Sequence, residues 1–212
     1  MKISGGLQEG GVVVGNVYDK YSSSNPFVRY AMQGFEEALS DLVARAAPGT
    51  IHEVGCGEGY WVLRWSRQGL VVRGTDASSG VIQLARENAA DQGLNPGLFT
   101  VHSIYDLHPA ADSADLIVCC EVLEHLERPE DALRILSSVV TKHLILSVPR
   151  EPIFRFLNVA RGKYLSRWGN TPGHIQQWSS KGFIRLVERY CEVVAIKMPL
   201  PWTMVLCNVR KS

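Results

Sequence analysis

A run of alternating glycines, Gly55-Cys56-Gly57-Glu58-Gly59, follows directly on the short strand-like stretch Thr50-Ile51-His52-Glu53-Val54. This junction constrains the chain more than any other stretch. Glycine lets the backbone turn sharply and come close to a ligand. The helix that follows then presents its first amides to that ligand. A dinucleotide-binding turn has the spacing G-x-G-x-x-G, and here the last position of that pattern is Tyr60. Glu53 also sits just before the turn, where an anion would repel a pyrophosphate. The pattern excludes a dinucleotide and suits a ligand with an ammonium group. Taken alone, it also fits a glycine-rich strand-to-helix turn with no ligand.

The rest of the chain alternates apolar strand runs with helical patterns. A helix is predicted from Asn25-Pro26 to about Ala47, with Val28, Met32, Phe35, Leu39, Leu42 and Val43 at helical spacing. Pro48-Gly49 stops it. Strands are predicted at Ile51–Val54, Val71–Thr75, Leu98–His102, Leu116–Cys120 and His143–Val148. Helices are predicted after Gly59, over Ser78–Gln92 with Gly93 as C-cap, over Pro129–Val140 and over Lys181–Tyr190. Val193–Met198 and Thr203–Val209 are separated only by a short turn carrying Pro199-Leu200-Pro201, which requires an antiparallel hairpin. The expected fold is α/β: a Rossmann-like, seven-stranded, mostly parallel sheet with one antiparallel strand and helices on both faces. Its length of 212 residues fits one domain.

In such sheets the ligand sits at the carboxyl ends of the strands. The second strand ends at Asp76-Ala77, where a carboxylate can accept from two hydroxyls or cap the next helix. The third ends at Ser103-Ile104-Tyr105-Asp106. The fourth ends at Cys120-Glu121-Val122-Leu123-Glu124-His125-Leu126. As a set, residues 50–150 resemble class I S-adenosylmethionine (SAM) dependent methyltransferases. The Glu-Val-Leu-Glu-His-Leu segment resembles the ubiquinone and menaquinone biosynthesis type, within the methyltransferase type 11 group. The resemblance implies a cofactor site of Glu53, Gly55, Cys56, Gly57, Gly59, Asp76, Ala77, Ser103, Ile104, Glu121 and Val122. SAM is the implied cofactor and S-adenosyl-L-homocysteine (SAH) the product. Glu53 would lie near the amino-acid end, Asp76 at the ribose and Ser103-Ile104 at the adenine. Ser103 stands where the family more often has Asp, and Asp106 either replaces that acid or is a turn residue.

His125 and His174 are the candidate catalytic residues, as general bases or metal ligands. If Glu121, Glu124 and His125 sat on one helical turn, they would share a face at i, i+3 and i+4. With His174 they offer the mixed oxygen and nitrogen donors of a divalent-ion site. A metal is possible but not favoured, because metal-free relatives carry the same segment. The implied reaction is methyl transfer to an oxygen or nitrogen of a small-molecule acceptor. Two other readings stay open: a metal-assisted RNA 2′-O-methyltransferase, and a non-catalytic methyltransferase-like binding domain.

The formal charge of +1 gives no overall field toward nucleic acid, so DNA is not expected and RNA is disfavoured. Five cysteines without a C-x-x-C pair, and no secretory or membrane-spanning stretch, lead us to expect a cytoplasmic protein, monomer or homodimer. Residues 1–24 are expected to be a flexible leader or flap, with Tyr18, Asp19, Lys20 and Tyr21 over the cofactor. Residues 150–176 are expected to be an insertion. Within it Arg150, Arg155, Arg161, Lys163 and Arg167 interleave with apolar residues. It reads as a substrate lid, a packed element, an RNA contact, or a peripheral membrane contact through 150–168.

Overall fold

A computed structural model describes residues 1–9, 12–16, 19–154 and 174–210. The insertion between Phe154 and His174, and Tyr18, lie outside the described residues. A small N-terminal hairpin, β1 (Gln8–Glu9) and β2 (Val12–Val13), precedes helix α1 (Pro26–Ala46). Then come β3 (Thr50–Val54), α2 (Tyr60–Arg67), β4 (Val71–Asp76), α3 (Ser79–Ala90), β5 (Phe99–Val101), α4 (Pro109–Asp112) and β6 (Ala114–Cys120). They are followed by α5 (Pro129–Val139), β7 (Val140–Pro149), α6 (Ser180–Val187), β8 (Glu192–Lys197) and β9 (Trp202–Asn208).

The main sheet has seven strands in the order β5-β4-β3-β6-β7-β9-β8. The strands from β5 to β7 run parallel, and β9 is antiparallel to both β7 and β8. This is the architecture expected from the sequence. The strand order reverses at β3/β6, which puts the carboxyl ends of those strands beside a crevice. Strand alternation divides the core. Ile51, Leu116, Val118, Ile145, Met204 and Leu206 pack with α1, α2 and α3. Ile117, Leu144, Leu146, Val148 and Val205 pack with α5 and α6 on the other face.

Local chemistry sets the helix ends. Asn25 caps α1 by accepting from the amides of Phe27 and Val28 at 2.9 and 3.4 Å. The helix stops at Ala47, in the left-handed region at φ 43°. Ser78 caps α3, accepting from Val81 N at 3.1 Å. Strand β7 begins at Val140, three residues before the predicted His143, because polar Thr141 and Lys142 pair with the neighbouring strand. Thr141 Oγ1 donates to Ala114 O at 3.1 Å, and Lys142 Nζ meets Asp115 at 2.9 Å. Helix α6 ends three residues earlier than the predicted Tyr190.

Residues 1–9 and 12–16, within the segment expected to be mobile, run over α3 and the glycine turn. Lys2 and Asn88 exchange two hydrogen bonds, and Glu9 accepts from Gly80 N at 2.8 Å. Among the described residues no helix is long and apolar enough to cross a membrane.

Leu144 is fully buried at the centre of the sheet. Replacing it by Ala should lower the unfolding free energy by about 2–5 kcal/mol. Denaturant titration should show an earlier midpoint with an unchanged slope. A smaller loss would mean that this layer is loosely packed.

Candidate functional site

The site is built from four strand ends. At the first, the turn is held by the adjacent strand. Gly55 N and Cys56 N both donate to Thr75 O, at 2.8 and 3.0 Å, and Gly57 N donates to Asp76 Oδ2 at 3.1 Å. Gly55 has φ 77°, and a Cβ there would lie 2.2 Å from Val122 Cγ2. Gly59 has φ 88°, and a Cβ there would meet the Phe99 ring at 2.5 Å. Both positions therefore need glycine for conformation and for space. Helix α2 starts at Gly59 with no side-chain cap.

Glu53 is buried beside this turn, and its Oε2 has no hydrogen-bond partner among the described residues. Burial pushes its carboxyl well above the usual range, against a bond from the Val62 amide; Asp76 adds to the rise, while the Lys20 charge opposes it. A buried carboxylate oxygen without a partner is costly, and an ammonium would relieve it. Asp76 accepts one amide on each oxygen, from Gly57 at Oδ2 and from Ser78 at Oδ1. Each oxygen keeps a lone pair for a ligand hydroxyl. Because Ser78 is the cap of α3, Asp76 is free of that role. Burial also raises its carboxyl, and the two amides oppose this.

At the third strand end, Ser103 Oγ accepts from Tyr105 N at 3.2 Å, opening a 3-10 turn over Ile104–Asp106. His102 N donates to Asp76 O at 2.9 Å, tying this turn to the ribose candidate. Ile104 is buried, while Ala77 and Asp106 are exposed.

At the fourth, Glu121 takes φ 59°, an uncommon conformation for a non-glycine residue. Its Oε1 accepts from Ser147 Oγ at 2.9 Å and its Oε2 from Trp202 Nε1. Burial raises its carboxyl to about 7, against the Lys20 charge and these two bonds. The segment then makes a 3-10 turn at Leu123–His125 rather than an α-helix. Glu121 consequently does not share a face with Glu124 and His125, and the expected four-residue cluster has three members. Ligand atoms of Glu124, His125 and His174 lie within 4.8 Å of one another.

The His125 and His174 rings meet edge to face at 4.9 Å, and Phe154 stacks on His174 at 5.5 Å. The amides of Ile175 and Gln176 donate to Glu124 O, which fixes His174 beside it. Both carboxylate oxygens of Glu124 are buried with no hydrogen-bond partner among the described residues. Burial and then the Glu121 charge raise its pKa. Burial, with His125 close by, lowers His174 to about 4, so its ring is neutral at neutral pH. Unpartnered carboxylate oxygens beside a neutral imidazole fit a divalent cation.

Several residues escaped the sequence reading. Thr75 was read only as strand. Ser147 and Trp202 hold Glu121, and Ser147 could have been noticed as the polar residue in an apolar strand. Glu58, inside the turn, anchors the N-terminal segment by accepting from Ser4 N at 3.0 Å and Asn16 N at 2.7 Å. Tyr21, named in the expected flap, stacks on Tyr60, a partner the sequence did not reveal, with ring centroids 3.5 Å apart.

A glycine turn, two acids and a closing hairpin on this sheet define the class I methyltransferase architecture. In agreement, residues 52–146 match the family described as "Methyltransferase domain". The chain is similar to the mitochondrial ubiquinone biosynthesis O-methyltransferase of Schizosaccharomyces pombe, 32% identical over 121 residues. That match covers 55% of this chain and 44% of the relative. It is also similar to the ubiquinone biosynthesis O-methyltransferase of Coxiella burnetii, 26% identical over 151 residues, covering 64% and 63%. The chain thus spans about half the length of the curated relatives it matches. In fold it resembles the magnesium protoporphyrin IX methyltransferase of Synechocystis with bound SAM. The TM-score is 0.64 at 17% identity, covering 90% and 88% of the two chains.

Two tests follow from the geometry. Gly55→Ala should cost about 1–3 kcal/mol of stability, from the left-handed φ and the Val122 clash, read by thermal unfolding. An unchanged midpoint would contradict the described turn. For Glu121, the folded pKa of about 7 lies above its ordinary 4.5. Its stabilising contribution is present below pH 4.5 and is lost as pH rises to about 7. The stability of Glu121→Gln relative to the parent should therefore rise with pH across that window, and a flat difference would refute the buried carboxyl.

Proposed function

We propose that the chain is a SAM-dependent methyltransferase acting on an oxygen or nitrogen of a small-molecule acceptor. The observation that carries this reading is the unpartnered, buried Oε2 of Glu53 beside a turn that only glycine can make. When bound, SAM supplies an electrophilic methyl group on a sulfonium. Glu53 would receive its ammonium, the turn Gly55–Gly59 its methionine backbone, Asp76 its ribose hydroxyls, and Ser103-Ile104 its adenine. The names of the two relatives favour oxygen as the acceptor atom.

The acceptor side would be formed by His125, His174 and Phe154. His174, neutral at physiological pH because its pKa is held near 4, can take a proton from an acceptor hydroxyl only as a weak base. Positioning supplies most of the acceleration, because the sulfonium is already a good leaving group. Residues 1–24 would act as a cover, anchored through Glu58. The Lys20 charge within that segment already bears on Glu53, Glu121 and Glu124. The five unpaired cysteines favour a reducing compartment, read as the cytoplasm.

One observation favours a metal-assisted version of the same reaction: the buried, unpartnered Glu124 carboxylate within reach of two imidazoles. Glu124, His125 and His174 would hold the ion, which would lower the pKa of an acceptor hydroxyl.

The proposal is tested by calorimetry with SAH and by a metabolite screen reading SAH release, with and without chelator. Asp76→Ala should weaken SAH binding at least about tenfold, and unchanged affinity would overturn the ribose assignment. If the metal version holds, chelation abolishes turnover, magnesium or manganese restores it, and Glu124→Gln abolishes the restoration. Chelator-insensitive turnover overturns that version and leaves His174 as the base.

A further inference from the structure

We propose that His52 is a positioning residue for the cofactor turn, acting through Thr75. The inference rests on reading that turn as the cofactor site, and its geometry is independent of that reading.

His52 lies on β3, fully buried, on the face opposite α2. Its Nδ1 is 3.1 Å from Asp112 O, and its Nε2 is 2.9 Å from Thr75 Oγ1. A carbonyl only accepts, so Nδ1 carries the proton. In a neutral ring Nε2 is then the acceptor, and the Thr75 hydroxyl donates to it. Thr75 is thereby fixed at both ends. Its side chain is held by His52, and its carbonyl receives the amides of Gly55 and Cys56. The next residue is Asp76, which holds Gly57 N. One imidazole therefore orders the residue whose carbonyl holds two consecutive turn amides, and the next residue holds the third.

The far end of this relay is also anchored. Arg73, from β4, donates to Ala111 O at 2.8 Å and to Ser113 O at 3.1 Å, bracketing the Asp112 carbonyl. Asp112 Oδ2 accepts from His108 N at 2.8 Å, and its Oδ1 is 3.6 Å from His102 Nδ1. The groups facing His52 are thus Arg73, Asp112 and His102. Burial, with Arg73 and His102 nearby, holds its pKa down to about 4, so the ring stays neutral and keeps this bonding pattern at physiological pH.

Packing alone does not require histidine here. The same face of β3 carries Val54, within an aliphatic layer that includes Ile117. An apolar residue would fill the space without the cost of burying two ring nitrogens. What histidine adds is a donor and an acceptor at opposite ends of one rigid ring, bridging a loop carbonyl to the strand residue behind the turn.

The test uses the full chain and the variants His52→Leu, His52→Gln, Thr75→Val and Thr75→Ser. Amide hydrogen exchange at Gly55 and Cys56 is read in the ligand-free protein, alongside SAH affinity by calorimetry. His52→Leu and Thr75→Val should each speed exchange and weaken SAH by about fivefold, the worth of one buried hydrogen bond. The double variant should be no worse than either single, because both cut the same relay. His52→Gln, whose amide oxygen can replace Nε2 as acceptor, and Thr75→Ser, which keeps the hydroxyl, should restore most of both readouts. Unchanged exchange in folded Thr75→Val, or additive losses in the double variant, would overturn the relay. If exchange responds as expected while the parent binds no SAH, the relay stands and the proposed function fails.

Discussion

Three consecutive amides of one turn are held by the end of one neighbouring strand. Thr75 O takes Gly55 and Cys56, and Asp76 takes Gly57. The site depends on this clamp. It puts the glycine turn against β4, so the Asp76 carboxylate and the turn are set by the same pair of residues. The third strand end joins through His102 N on Asp76 O. The parallel pairing of β5, β4 and β3 therefore does more than build a sheet: it aligns three loops whose backbones bond to each other. The left-handed glycines follow from that geometry, since a side chain at 55 or 59 would strike Val122 or Phe99.

Charge sets the second constraint. Glu53, Glu121 and Glu124 lie close enough for one lysine, Lys20, to act on all three. Glu121 is satisfied by Ser147 and Trp202. Glu53 and Glu124 keep buried oxygens without hydrogen-bond partners. A buried carboxylate oxygen that no donor meets is tolerated only if the group is protonated or meets a cation. These two mark separate places for positive charge. One lies beside the glycine turn, suited to an ammonium; the other lies among imidazoles, suited to a divalent ion.

Much of the fold was legible because its signals are local. The period of α1, the glycine at 93 and the proline-bearing turn before β9 each act within a few residues. The first part of β7 was not, because Thr141 and Lys142 are polar and find their partners on β6. Site legibility followed the same rule. The turn, Asp76 and the Glu121–His125 segment carry their meaning in residue type and spacing. The separation of Glu121 from Glu124 was hidden, because it turns on a positive φ and on Trp202, distant in sequence. Glu58 as the anchor of the leader, and His52 behind Thr75, were hidden for the same reason: their partners lie tens of residues away.

The central claim is that the turn and the acids beside it bind the amino-acid and ribose ends of SAM. A structure of the chain with SAH tests this most directly. The ligand ammonium is expected on the Glu53 side of the turn and both ribose hydroxyls on the Asp76 carboxylate. A ligand bound away from Glu53 and Asp76, or no binding in a folded chain, would contradict it.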